Sequence, residues 1–102
     1  MRQPEPGLPA FNSGSETRPV TEVAARIDVG WGNALYIRGQ GASLSWDKGV
    51  PLKCENASNW IYASTQVKEK LVFKLLLNDA IWAHGEEIVL DAGEKLELVP
   101  EF

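Results

Sequence analysis

Cysteine, histidine and positive charge are all scarce in this chain, and each scarcity removes a class of function. Cys54 is the single cysteine and His84 the single histidine among 102 residues. No intrachain disulfide can form, and no metal site built mainly from Cys and His is available. No Ser-His-Asp set stands out, and no glycine-rich loop precedes a helix that could hold a phosphate. The adjacent carboxylates Glu86 and Glu87 would point to opposite faces of a strand and could not flank one bond. The chain is expected to be no enzyme and to carry no cofactor.

Lys and Arg total ten against fourteen Asp and Glu, for a net charge of -4 at pH 7. The segment from Val20 to Phe102 holds eight of the basic and twelve of the acidic residues, and so the whole imbalance. Such a surface repels phosphate backbones, so nucleic acid is not an expected partner. Long apolar runs are missing as well. None approaches the roughly 20 residues that cross a bilayer, and no basic-then-apolar leader opens the chain. No membrane partner is expected, and the lone cysteine suits a reducing, cytoplasmic setting.

At this length the chain is one domain, since domains commonly hold ~100 to 150 residues around a single core. Four of the six prolines (Pro4, Pro6, Pro9 and Pro19) fall within the first nineteen residues, among Gly7, Ser13, Gly14 and Ser15. Residues 1–19 are predicted to form a flexible arm and residues 20–102 a folded β domain.

Alternation of period two runs through that domain. Thr21 to Val29 reads as a strand with Val23, Ala25, Ile27 and Val29 on one face, and Gly30-Trp31-Gly32-Asn33 ends it as a turn. Ala34 to Arg38 reads as a short strand, closed by Gly39-Gln40-Gly41. Ser43 to Gly49 reads as an exposed loop, and Val50 to Cys54 as a strand whose Pro51 points to an edge or a strand start. Asn59 to Thr65 is rich in the aromatic and β-branched residues that strands favour. Leu71 to Leu77 and Ala80 to Ala83 form a predicted hairpin around Asn78-Asp79, a pair that tolerates left-handed backbone. The Lys and Leu content of Val67 to Leu77 would also suit a helix, but the Asn-Asp turn leading directly into Trp82 favours strand. Glu86 to Leu90 and Lys95 to Val99 read as a second hairpin around Asp91-Ala92-Gly93-Glu94. The expected fold is all-β, an immunoglobulin-like antiparallel sandwich of seven to eight short strands.

The aromatics carry the functional signal. A flat indole can bury the apolar face of a sugar ring while polar neighbours bond to the rim hydroxyls. Trp46, between Ser45 and Asp47 in a loop with Lys48, is an odd core residue and is expected to be exposed. Trp82 follows a polar turn, which leaves core packing and exposure equally open. Alternation puts Lys74 on the face opposite Phe73 and Leu75, where a lysine ordinarily snorkels over a solvated surface. Trp60 and Tyr62 share one strand face and are assigned to the core. Trp31, in a Gly-Trp-Gly turn, either caps one end of the sandwich or offers a second contact surface.

Five pieces in order, ALYIRGQG, LSWDKGVPL, NWIYAS, VFKLLLND and IWAHGEEIV, run from Ala34 to Val89 within a similarity that covers about Ala25 to Val99. Together they resemble the starch-binding carbohydrate-binding modules of the family 20 and family 48 type, which include the glycogen-binding domain of the AMP-activated kinase β subunit. The resemblance implies an α-glucan partner, with Trp46 and Trp82 as stacking platforms and Lys74 as a donor to sugar hydroxyls between them. The family's asparagine after the second tryptophan falls at Glu87, or at Glu86 if the register slips by one. An amide that donates and accepts is thus replaced by a carboxylate that only accepts. The loops are shorter than in typical members, and no counterpart of a second glucan site is legible. The alternative is a sandwich that has lost sugar binding and contacts a protein partner, a use that Glu87 favours.

Overall fold

The computed structural model describes residues 19–102, and the predicted arm over residues 1–19 lies outside the described residues except for Pro19. Among the described residues nine strands are divided between two sheets: β1 (Thr21–Ala25), β2 (Leu35–Gln40), β3 (Val50–Pro51), β4 (Lys53–Asn56), β5 (Asn59–Ser64), β6 (Lys70–Leu77), β7 (Ile81–Trp82), β8 (Ile88–Asp91) and β9 (Lys95–Leu98). One sheet has the order β4-β5-β1-β9, the other β3-β2-β6-β7, with β8 also paired to β6. The result is the all-β sandwich of immunoglobulin-like type that the alternation predicted. Among the described residues no helix is long and apolar enough to cross a membrane.

Strand β6 is the hub. It pairs antiparallel with β2 along one edge and with β7 and β8 along the other. Leu71, Phe73 and Leu75 alternate onto its inner face and are fully buried, where they join Val23, Ile37, Trp60 and Tyr62 in the core. The strand assignment of this segment and the core assignment of Trp60 and Tyr62 both hold. Burying apolar surface at about 25 cal/mol per Å2 makes this inner face the main source of stability. It also sets the register, because a one-residue slip would turn Phe73 outward and Lys74 inward.

Several expectations need correction. The first strand ends at Ala25 and not at Val29, and Glu86 and Glu87 precede β8 and line one cleft, so they do not take opposite strand faces. Val50 to Cys54 is not one strand. Val50 and Pro51 pair with β2, the chain then crosses between sheets at buried Leu52, and Lys53–Asn56 pairs with β5. Pro51 does sit in an edge strand, where its missing N–H removes no ladder bond. This crossing helps raise the strand count to nine. Nor do β8 and β9 form a hairpin. Strand β8 joins β6, whereas β9 adds in parallel to the free edge of β1, the one parallel pairing among the described residues. The turn between them exists, with Glu94 N–H bonded to Asp91 C=O at 3.1 Å and Gly93 at φ 85°. Its neighbours anchor on both sheets: Ala92 N–H reaches Glu69 C=O at 2.9 Å, and Gly93 N–H reaches Thr21 Oγ1 at 2.9 Å. Leu90 and Leu98 face one core from opposite sheets, a requirement that local alternation meets equally well in a hairpin or in a corner.

Gly39 shows how tightly β2 lies on β6. A Cβ there would collide with the Val72 carbonyl oxygen and stand 2.9 Å from Phe73 Cα, both backbone atoms that cannot step aside. Chemical denaturation should therefore find Gly39→Ala destabilised by about 1–3 kcal/mol or more, as overpacking costs. Val89→Ala, on an exposed side chain, should stay within about 0.5 kcal/mol of wild type. Equal stability for the two variants would contradict the pairing of Gly39 with Phe73.

Candidate functional site

The outer face of the β2-β6 sheet collects the chemistry. Because Phe73 and Leu75 face inward, Val72, Lys74 and Leu76 face outward. Register sets Arg38 opposite Lys74, and Tyr36 and Trp82 on either side of Leu76. Trp82 is thus carried on the outer face, 42% exposed, which resolves the question its sequence position left open. Leu76 is 1% exposed without belonging to the core cluster. It forms a small apolar floor for this face.

Trp46 comes from a different element, the loop between β2 and β3, and stands with its ring centroid 6.4 Å from that of Trp82 at an interplanar angle of 36°. Its expected exposure is only partly realised, since the side chain is half-buried. The cause is the neighbouring indole together with the anchoring of the loop. Gly39 N–H donates to Ser45 C=O at 3.2 Å and Asp47 N–H to Ser45 Oγ at 3.0 Å.

Lys74 Nζ lies 5.9 Å from the Trp82 ring centroid, at the outer limit of a cation–π contact, and donates to Gly85 C=O at 2.6 Å. That bond ties the β7–β8 loop to the sheet face. Beyond it lies a shallow open cleft of about 510 Å3 lined by Lys74, Gly85, Glu86, Glu87 and Val89. Trp82 therefore neighbours both Trp46 and Lys74, while Glu87 shares with Lys74 a cleft whose lining includes neither tryptophan. A more closed hollow of about 240 Å3 adjoins it, between Lys74, Ala83, Ile88, Leu98 and Pro100.

Sequence reasoning missed the group that holds the two tryptophans. Arg38 was read only as the end of a strand, yet its guanidinium carbon sits 5.4 Å from the Trp82 centroid. Its Nε donates to Asp79 Oδ1 at 2.9 Å, one terminal nitrogen to Asp79 C=O at 3.1 Å, and the other to Trp46 C=O at 3.2 Å. Asp79 turns its second oxygen to Gly49 N–H at 3.2 Å, beside a glycine whose added Cβ would collide with that same carboxylate. The available signal was alternation, since Leu35 and Ile37 facing inward leave Arg38 outward; its place opposite Lys74 comes from the strand register. The role of Asp79 was hidden behind its turn chemistry.

The turn itself matches expectation in its backbone angles. Asn78 and Asp79 both adopt φ 55°, the left-handed pair, with Ala80 N–H bonded to Leu77 C=O at 3.0 Å, although the pairing of Leu77 with Ile81 makes the connection three residues long where two were expected. Asn78 also caps the start of β2, accepting Ala34 N–H at 3.0 Å through its side chain and donating its own N–H to Ala34 C=O at 2.8 Å. Trp31 is fully exposed and lines a separate groove of about 350 Å3 with Asp28, Asn33, Cys54 and Trp60, which shares no residue with the Trp46–Trp82 face.

Neither a protein-family profile nor a curated protein sequence matches the chain. Among solved structures, the fold is similar to the Glycoside Hydrolase Family 15 glucoamylase from Hypocrea jecorina, with a TM-score of 0.67 and 13% identity. The match covers 100% of this chain and 21% of that enzyme chain, so this chain spans about a fifth of its length. At that identity the likeness is one of fold.

The Asp79 carboxyl is held below the ordinary aspartate value chiefly by the hydrogen bond from Arg38. Burial opposes this, while the Gly49 amide and the charges of Arg38 and Lys48 add to it. A lowered folded-state pKa gives stability that is present above the unfolded value and lost as pH falls through the folded one. In thermal melts, the gap between wild type and Asp79→Asn should be full above pH ~4 and shrink at more acid pH. A gap that stays constant down to the acid limit would contradict the ion pair.

Proposed function

We propose that this chain is a non-catalytic module that binds an α-glucan of the starch or glycogen kind on the outer face of the β2-β6 sheet. The observation that carries the proposal is the tilted pair of Trp46 and Trp82, two indoles from separate elements kept at the surface beside a lysine. Large aromatic surface left in water is costly unless a ligand covers it, and sugar rings offer matching apolar C–H faces. Rings inclined to one another suit successive glucose units of a curved chain better than units of a flat ribbon. The fold likeness to part of an enzyme named as a glucoamylase supports the same ligand class.

Lys74 and Glu87 supply the polar rim. Hydroxyls donate and accept, so a cleft that offers an ammonium donor and carboxylate acceptors can satisfy both halves of each group. In this role Glu87 and Glu86 take the accepting part of the family's amide, and Lys74 takes the donating part. We propose a cytoplasmic setting, with no enzyme activity, cofactor, membrane or nucleic acid involved.

A second function, docking of a protein partner on the same face, draws support from Val89, which pairs with outward Val72, is 57% exposed and lines the cleft that Lys74 and Glu87 share. An apolar side chain of that kind fits a protein contact as readily as a sugar. Self-association that shields Trp46 and Trp82, read as slower tumbling and blue-shifted emission without any sugar, would favour it.

Calorimetric titration with maltoheptaose separates the two. The glucan function predicts saturable binding with a Kd of roughly 10 µM to 1 mM, about -4 to -7 kcal/mol, as befits a small open site. Trp46→Ala and Trp82→Ala should each cost more than ~1 kcal/mol. Binding that survives both substitutions unchanged would show the wrong face has been chosen.

A further inference from the structure

We propose that Arg38 is the positioning residue of this face, setting the distance and angle between Trp46 and Trp82 before any ligand arrives. The proposal deepens the glucan function and rests on that face being the binding surface, but its primary readout needs no sugar. Three separate elements must agree for the two indoles to stand 6.4 Å apart: the β2–β3 loop, the β6–β7 turn and strand β7. One guanidinium touches all three. It holds the loop through the Trp46 carbonyl, the turn through both the side chain and the carbonyl of Asp79, and β7 through the face of the Trp82 ring.

The planar fork of arginine is what makes this geometry available. Its nitrogens lie in a fixed plane, so bonding to Asp79 at 2.9 and 3.1 Å determines where the third nitrogen meets Trp46. A lysine at the same site would keep the charge but satisfy only part of the set. Asp79 is fixed in turn by the left-handed turn residues and by the Gly49 amide, so the guanidinium has a rigid seat. The Arg38 and Asp79 side chains are only 18% and 25% exposed, which limits the screening that makes open surface pairs weak. Preorganised recognition requires first-contact groups to be held by neighbours that do not themselves touch the ligand.

Two indoles this close couple electronically, and the resulting circular-dichroism couplet depends steeply on their distance and angle. The couplet is defined as the difference between wild type and Trp46→Phe, which removes one partner. In Arg38→Lys, measured without sugar, it should fall to less than half while the far-UV spectrum of the sheets is retained. Maltoheptaose affinity should weaken by about fivefold or more, the loss expected when an aromatic anchor is misplaced. Asp79→Asn, which keeps the size of the side chain but weakens the seat, provides the same readouts should Arg38→Lys fail to fold.

A full couplet in both variants would overturn the proposal. So would a couplet that disappears only in step with the far-UV signal, since Arg38 would then be holding the fold and not the angle. If the couplet depends on Arg38 and even wild type ignores the glucan, the positioning role stands and the glucan function falls.

Discussion

Strand β6 has to satisfy two faces at once, and the rest of the structure follows from how it does so. Leu71, Phe73 and Leu75 are driven inward because leaving them in water would cost about 1.5–3 kcal/mol each. With that face committed, Val72, Lys74 and Leu76 have no choice but the outer surface. The antiparallel ladders then set Arg38 beside Lys74 and Trp82 beside Leu76. The candidate site is therefore a by-product of core register, and any change that slips β6 by one residue would empty both.

What register cannot do is bring Trp46 to Trp82, because Trp46 lies in a loop with no ladder of its own. That task falls to the polar cluster of Arg38, Asp79 and Gly49, in which a side chain of the sheet, a turn residue and a loop amide share charge and hydrogen bonds. Gly49 is required for its lack of a Cβ, since the Asp79 carboxylate fills that space. The surface aromatic pair thus depends on a partly buried polar pair behind it. It holds a loop-borne indole against one carried by a strand and leaves Trp82 42% exposed.

Local chemistry was legible wherever one segment decided its own conformation. The alternation of β6, the left-handed Asn78-Asp79 turn and the burial of Trp60 and Tyr62 all follow from residues a few positions apart. The grouping of Trp46, Trp82 and Lys74 followed from resemblance to a family of starch-binding modules, and in the structure Trp82 neighbours each of the other two. Pairing partners were less legible. Leu90 and Leu98 face the core equally well from one sheet or two, and only the unpaired edge of β1 sends β9 away from β8. Leu52 likewise divides an apparent strand because its burial spans both sheets. Arg38 stayed hidden for a related reason: its three partners lie at Trp46, Asp79 and Trp82, and no spacing rule links them.

The central claim is that the Trp46–Trp82 face, with Lys74 and Glu87 at its edge, is where an α-glucan binds. The most direct measurement follows the indole N–H resonances of the four tryptophans by NMR as maltoheptaose and β-cyclodextrin are added. Saturable shifts at Trp46 and Trp82, with Trp60 unmoved in the core, are the predicted result. Indole signals that all stay still at millimolar sugar, or shifts confined to Trp31, would contradict it.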